Sequence, residues 1–314
     1  MRFLWNLIKG IVFLVFLAAI GAGFYAGNLA YDQLLNSPWD RILGVTNNKD
    51  DLRRIHRAEQ NYGWQPVDVV SADGTKLHGT YIEDVAHGAS TVILLHGLYQ
   101  NRSMCIPYAG LYRNMGYNVL MIDQRGHGES GGTHTTWGMK ETEDMDAWVD
   151  WLRAKNPSMR IGMHGISLGA AMALVYSGTE KGRQMDFYVA DSSYGNLIGL
   201  GEDKLSAYTG NNRLVWGMDV LNPFFQSVMF IRDGKLLSDI DPLDTVKKMT
   251  SPVLFLHGGS DTLVPPKAAE ELLQASGSRE KELFIFQGAA HAMEMASNRD
   301  SYRENIRSFL AKIK

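Results

Sequence analysis

The stretch MRIGMHGISLGAAMALVYSG, Met159 to Gly178, holds two patterns back to back. "MRIGMHG" is a short apolar run of strand length, and "SLGAAMALVYSG" is a small-residue helix closed by glycine. Ser167 stands at the junction, between Gly165 and Gly169. A serine that must project from a sharp strand-to-helix turn needs small neighbours, because bulk at Gly165 or Gly169 would keep strand and helix apart. The start of the helix also aims free backbone N–H groups at any negative charge developing beside the serine. Tight turn and nucleophile are therefore compatible readings of one motif.

Working outward, short apolar runs alternate with helical stretches. "PVDVVSADGTKLHGTYIED" (66–84) reads as a hairpin around "ADGT". "TVILLHG" (91–97), "YNVLMID" (117–123), "DFYVADS" (186–192), "SPVLFLHG" (251–258) and "KELFIFQG" (281–288) read as buried strands. Between them lie "NRSMCIPYAGLYRNMG", a helix ending at Gly116, and "MKETEDMDAWVDWLRAKNP". The second has Met145, Trp148, Val149 and Leu152 on its apolar side and stops at Pro157. This alternation predicts an α/β fold with a mostly parallel central sheet flanked by helices. Residues 193 to about 240 interrupt it with aromatic-rich helical sequence and no strand, and read as a small helical cap over one end of the sheet. There are no internal repeats.

A serine needs a base, and the base needs an orienting acid. "GGSDTLVP" offers Asp261 and "GAAHAM" offers His291, each just past a strand's carboxyl end, where open α/β sheets place their sites. The order serine, acid, histidine suits this architecture. Asp191, at the end of "VADS", is the rival acid. Of nine histidines, His56, His78 and His87 lie away from that edge. His96 and His257 precede glycines and are expected to serve turns, and His164 is expected to be buried in the elbow strand. Glu294 reads as a surface or supporting residue. The oxyanion donors are expected to be the backbone N–H groups of Leu168, after the serine, and Leu98, in "HGLYQN".

"LLHGLYQN", "DQRGHGES", "GISLGAA", "GGSDTLVP" and "GAAHAM", in this order over residues 66–314, resemble the α/β-hydrolase superfamily of serine hydrolases. The nearest flavour is its bacterial, membrane-anchored branch similar to lysophospholipases and serine peptidases. Ala170 departs from the second glycine common after the elbow, and "HGLYQN" lacks the early asparagine of several relatives. The resemblance implies that Asp123, Arg125 and Gly126 form a structural loop. "GHGESG" (126–131) is then no dinucleotide signature, since no helix is expected to open at its last glycine. No H-E-x-x-H and no cysteine pair is present, so no metal or other cofactor is expected.

The first thirty residues differ from the rest. Gly10 to Tyr31 carries no charge, long enough for one membrane span, with Gly21, Gly23 and Gly27 inside it. Arg2 and Lys9 precede it, and the next basic residue is Arg41. That asymmetry predicts residues 1–9 in the cytoplasm, an anchor over 10–31 and an extracytoplasmic catalytic domain. A cleaved signal peptide, and so a secreted protein, is the alternative. Residues 32–65 read as a connector with a short charged helix, whose Arg53, Arg54 and Arg57 face water or anionic headgroups. The 314 residues carry a net charge of −3 with no basic block, so no nucleic-acid partner is expected. The single Cys105 cannot form an internal disulfide. Tyr194, Tyr208, Trp216, Met218, Phe224, Phe225, Met229 and Phe230 make the insertion apolar, as packing or as an acyl pocket. The expected substrate is therefore a small-molecule ester, apolar or lipid-like. A peptidase or amidase of the same fold and a catalytically silent surface binding protein are the rival readings.

Overall fold

The computed structural model describes residues 1–84, 90–210 and 213–313. His87 lies outside them, as do the side chains of Tyr208, Trp216 and Met218. The chain divides into two compact units, Met1–Pro38 with Glu202–Leu237, and Trp39–Gly201 with Ser238–Lys314.

The larger unit is built on one eight-stranded sheet: β1 (Gln65–Val70), β2 (Lys76–Ile82), β3 (Ser90–Leu95), β4 (Asn118–Ile122), β5 (Arg160–Ile166), β6 (Phe187–Asp191), β7 (Val253–Gly258) and β8 (Lys281–Phe286). Their order is β1-β2-β4-β3-β5-β6-β7-β8. The first two strands pair antiparallel with each other and with β4, and the rest run parallel. Val92–Leu95 and Val119–Ile122 are fully buried, as strands covered on both faces must be. The outermost β8 is only half-buried and carries Lys281 and Glu282, a charged edge that discourages further strand pairing.

Nine helices of eight residues or more accompany these strands among the described residues. They are α1 (Arg2–Asn36), α2 (Arg53–Tyr62), α3 (Ile106–Arg113), α4 (Glu141–Lys155), α5 (Leu168–Ser177), α6 (Leu197–Thr209), α7 (Arg213–Asp233), α8 (Lys267–Ala275) and α9 (Arg299–Lys312). Helix α4 buries the predicted Met145, Trp148, Val149 and Leu152. It ends where Asn156 turns extended ahead of Pro157, because the proline ring disfavours helix in the residue before it. The connector is more structured than its charge suggests. Ile55 of α2 is fully buried in the same core as Tyr112 and Tyr302, while Arg53 stays exposed.

In the smaller unit, α1 outruns the expected 10–31 at both ends. Its 35 residues extend about 52 Å, against about 30 Å for a bilayer core. It is the one described helix long and apolar enough to cross a membrane. Its buried residues, Gly23, Gly27, Tyr31 and Leu34, recur at helical spacing on one face. That face meets α7. A methyl group at Gly27 would lie 2.8 Å from the Phe224 carbonyl carbon, and one at Gly23 would lie 2.4 Å from the Phe224 ring. Phe24 meets the same ring edge-on at 5.5 Å. Below this, Tyr31 donates to Asp233 at 2.5 Å, and Arg232 pairs with Asp32 at 2.7 Å while covering the Tyr31 ring. The expected single cap over 193–240 is thus divided. Residues 202–237 group with α1, and residues 193–201 and 238–240 group with the sheet. The physical reason is the glycine face of α1, which admits α7 to backbone contact.

Candidate active site

The elbow forms as its glycines require. Strand β5 ends at Ile166 and α5 begins at Leu168, leaving Ser167 at φ 55°, ψ −115°, a strained conformation for a residue with a side chain. A methyl group on Gly165 would lie 2.1 Å from the Gly169 carbonyl oxygen, and one on Gly169 2.4 Å from that of Leu95. Both contacts are with main chain, which has nowhere to move. The Ser167 N–H donates to the Asp191 carbonyl at 2.8 Å and ties the turn to the end of β6.

Ser167 Oγ lies 2.8 Å from His291 Nε2, and His291 Nδ1 lies 2.7 Å from Asp261 Oδ2. The three residues come from the ends of β5, β8 and β7. Asp261 requires Nδ1–H on the imidazole, which leaves Nε2 free to accept from the serine hydroxyl. The Asp261 side chain is fully buried, whereas His291 keeps 16% of its surface. Burial alone would raise the Asp261 carboxyl. Hydrogen bonds from His257, His291 and the backbone N–H of Val264 outweigh it and hold the group well below the usual carboxylate range.

The rival acid is otherwise engaged. Asp191 Oδ2 accepts from the Tyr302 hydroxyl at 2.6 Å. His164 is fully buried between the hydroxyls of Tyr112 and Tyr302, at 3.1 and 3.0 Å. Burial pushes it down to about 3, so it stays neutral. His96 accepts from the Gln124 N–H and donates to the Gly97 carbonyl, the turn duty expected of it. His257 does more than serve a turn. Its Nε2 donates to the Val264 carbonyl at 2.9 Å and reaches Asp261 Oδ2 at 3.3 Å.

The loop of Leu98 runs alongside, with a methyl at Gly97 falling 3.5 Å from Ser167 Cβ. The Leu98 N–H has no acceptor among the described residues. Leu168, as first residue of α5, has no helical carbonyl to serve. Sequence reasoning missed the residue that fixes this loop. Arg102 is fully buried; its N–H donates to Asp123 Oδ1 at 2.7 Å and its guanidinium engages Asp123, Thr80 and Glu129. A lone arginine between two apolar elements was the available signal. Arg125 grips Asp144 at 2.6 and 2.8 Å, and no helix opens at Gly131. Glu294 is no surface residue. It is fully buried and accepts from Ser192 Oγ at 2.6 Å.

Comparison with known proteins follows from this geometry. A family model described as alpha/beta hydrolase fold matches residues 90–193, and one described as serine aminopeptidase, S33, matches 240–297. The uncharacterized protein YqkD of Bacillus subtilis (strain 168) is 34% identical over 247 residues, covering 77% of each chain. The chain belongs to the alpha/beta hydrolase superfamily. The uncharacterized protein YfhR of Escherichia coli (strain K12) resembles this hydrolase at 25% identity, over 78% of this chain and 80% of its own. Among solved structures, the Pyrococcus furiosus esterase Pf2001 superposes with a TM-score of 0.65 at 26% identity, over 81% of this hydrolase and 95% of the esterase. A Paleococcus ferrophilus monoacylglycerol lipase shares the fold, with a TM-score of 0.54 at 20% identity, over 76% and 99% of the two chains.

Proposed function

We propose that this hydrolase cleaves carboxylic esters through an acyl-enzyme on Ser167. The observation that carries the reading is the unbroken hydrogen-bond chain from Ser167 Oγ through His291 to Asp261. His291 Nε2 takes the hydroxyl proton as Oγ bonds to the ester carbonyl carbon. The negative charge moves to the carbonyl oxygen, which the N–H groups of Leu98 and Leu168 receive. His291 then gives the proton to the departing alcohol oxygen, and water repeats the sequence to release the acid. Asp261 holds the tautomer and offsets the imidazolium charge throughout. The chemistry calls for no cofactor. Likeness to an esterase supports ester substrates, and the proposed acyl group is apolar or lipid-like. Nitrophenyl esters of graded chain length test this. Turnover that rises with acyl length and vanishes in Ser167→Ala is expected, and no turnover of any ester would overturn it.

Amide cleavage is the second reading, favoured by the serine aminopeptidase match across Asp261 and His291. Aminoacyl amides outpacing the esters would establish it. The remaining rival is a silent binding protein, which ester turnover removes.

The proposed location is a single-pass anchor, with the N-terminus cytoplasmic and the larger unit outside. Retention of α1, rather than cleavage, is supported by its packing on Phe224 and its bonds to Arg232 and Asp233. Protease shaving of intact cells should digest the larger unit, and protection would reverse the orientation.

A further inference from the structure

Leu98 can aim its N–H at an oxyanion only if the peptides on either side of it are held still. The peptide before it is fixed through the Gly97 carbonyl, which accepts from His96 at 2.8 Å and from the Gln100 N–H at 3.2 Å. The peptide after it carries the Tyr99 N–H, which donates to Nε2 of His127 at 3.1 Å. Tyr99 has φ 55°, a strained conformation for a bulky residue, and such strain persists only where outside bonds hold it. His127 is buried and takes no part in the proton transfers from Ser167. Its Nδ1 lies 3.0 Å from the Arg125 carbonyl, which can only accept. Nδ1 therefore carries the ring proton, and Nε2 presents a lone pair to Tyr99. Burial, then the neighbouring His96, pushes His127 down to about 4, in keeping with that neutral ring.

Resting on the reading of Leu98 as an oxyanion donor, we propose that His127 is a positioning residue for the Leu98 N–H. The turn that carries His127 is itself anchored. The His127 N–H donates to the Gln124 carbonyl at 3.0 Å, and the Gly126 N–H donates to the Gly131 carbonyl at 2.9 Å. Asp123, at the start of the same turn, accepts the Arg102 N–H at 2.7 Å. The oxyanion loop is thus gripped twice from one turn, by Asp123 at Arg102 and by His127 at Tyr99. Arg102 lies at the far end of the loop, whereas Tyr99 is the immediate neighbour of Leu98. Without its acceptor on His127, the Tyr99 backbone is free to relax to negative φ. That movement turns the peptide it shares with Leu98, beside the nucleophile. A shift of about 1 Å in a catalytic group costs about a hundredfold in rate.

The test compares His127→Gln and His127→Leu in the full chain, on a nitrophenyl ester. The glutamine carbonyl oxygen can replace Nε2 as acceptor, whereas leucine fills the space and accepts nothing. His127→Gln should keep kcat within about threefold of wild type, and His127→Leu should lose about tenfold or more in kcat with KM within about twofold. A trifluoromethyl ketone reads the oxyanion itself. Ser167 Oγ bonds to its carbonyl carbon, the hydroxyl proton passes to His291, and the ketone oxygen takes the negative charge. Its affinity should fall in His127→Leu in step with kcat. Wild-type kcat and inhibitor affinity in His127→Leu, or an equal fall in both variants, would overturn the proposal. Imidazole nitrogen NMR of wild type near neutral pH reads the bond directly, even should the leucine variant not fold. A neutral His127 ring with its proton on Nδ1 and a scalar coupling between Nε2 and the Tyr99 amide is expected, and a proton on Nε2 overturns the proposal. Wild type that binds the trifluoromethyl ketone no better than the matching methyl ketone would overturn the oxyanion reading, and the proposal with it. The nitrogen spectra do not depend on that reading and so tell the two failures apart.

Discussion

Gly165 and Gly169 at the elbow, and Gly23 and Gly27 on the first helix, are pairs with the same spacing and different duties. At the elbow the missing side chains admit main chain, the Gly169 and Leu95 carbonyls. On α1 they admit α7, in part through the ring of Phe224. The Gly165 contact is local, between a strand and the helix that follows it, and the Gly169 contact is with the end of the neighbouring β3. The contact on α1 joins residues about two hundred positions apart in the chain. A local backbone contact leaves its mark in one motif, whereas a distant side-chain partner leaves only a pair of small residues open to several readings.

The comparison can be broken at its strongest point first. Gly169→Ala drives a methyl into the Leu95 carbonyl and should abolish folded, labelled enzyme, or cost at least about 3 kcal/mol in urea unfolding. An alanine variant of wild-type stability and activity would mean that the elbow does not need its glycine.

Acid should separate the two units next, since no histidine lies in residues 1–38 or 202–237. In the larger unit, burial pushes His96 and His127 down to about 4 and His164 to about 3. Their folded values lie below the unfolded value of about 6.5, so the unfolded chain binds more protons between these limits. Their stabilising contribution is complete above about pH 6.5 and is lost as pH falls through about 4. With all three contributing, the slope reaches at most about 4 kcal/mol per pH unit. Urea midpoints measured from pH 7.5 to 4.5 should fall accordingly, and a flat profile would contradict neutral burial.

Gly27→Leu sharpens the comparison at the helical unit. Its side chain meets the backbone of Phe224 and Phe225 and should cost about 1–3 kcal/mol of helix packing. Faster proteolysis within 202–237, with Ser167 labelling retained, is expected. Unchanged proteolysis would show that α7 does not depend on α1. Gly23→Ala should do least, under about 1 kcal/mol by thermal melting, because the Phe224 ring can turn aside.

The same contrast explains what could be read in advance. The strands were legible because a parallel sheet buries continuous apolar runs, and the elbow because its chemistry restricts three neighbouring residues. Asp261 and His291 followed from strand ends and chain order. Ile55 was overlooked although Leu52, Ile55 and Ala58 recur every three residues among the charges, a narrow apolar stripe at helical spacing. Glu294 was hidden because its partner Ser192 lies about a hundred residues upstream. The division of the insertion was hidden for the same reason, since the partner of Phe224 is the first helix.

The central claim is that Ser167 is a nucleophile activated by His291. Labelling with a fluorophosphonate probe tests it most directly. The account predicts rapid labelling of wild type, none of Ser167→Ala, and at least about a thousandfold slower labelling of His291→Ala, with no further loss in the double variant. Equal labelling of wild type and Ser167→Ala would contradict it.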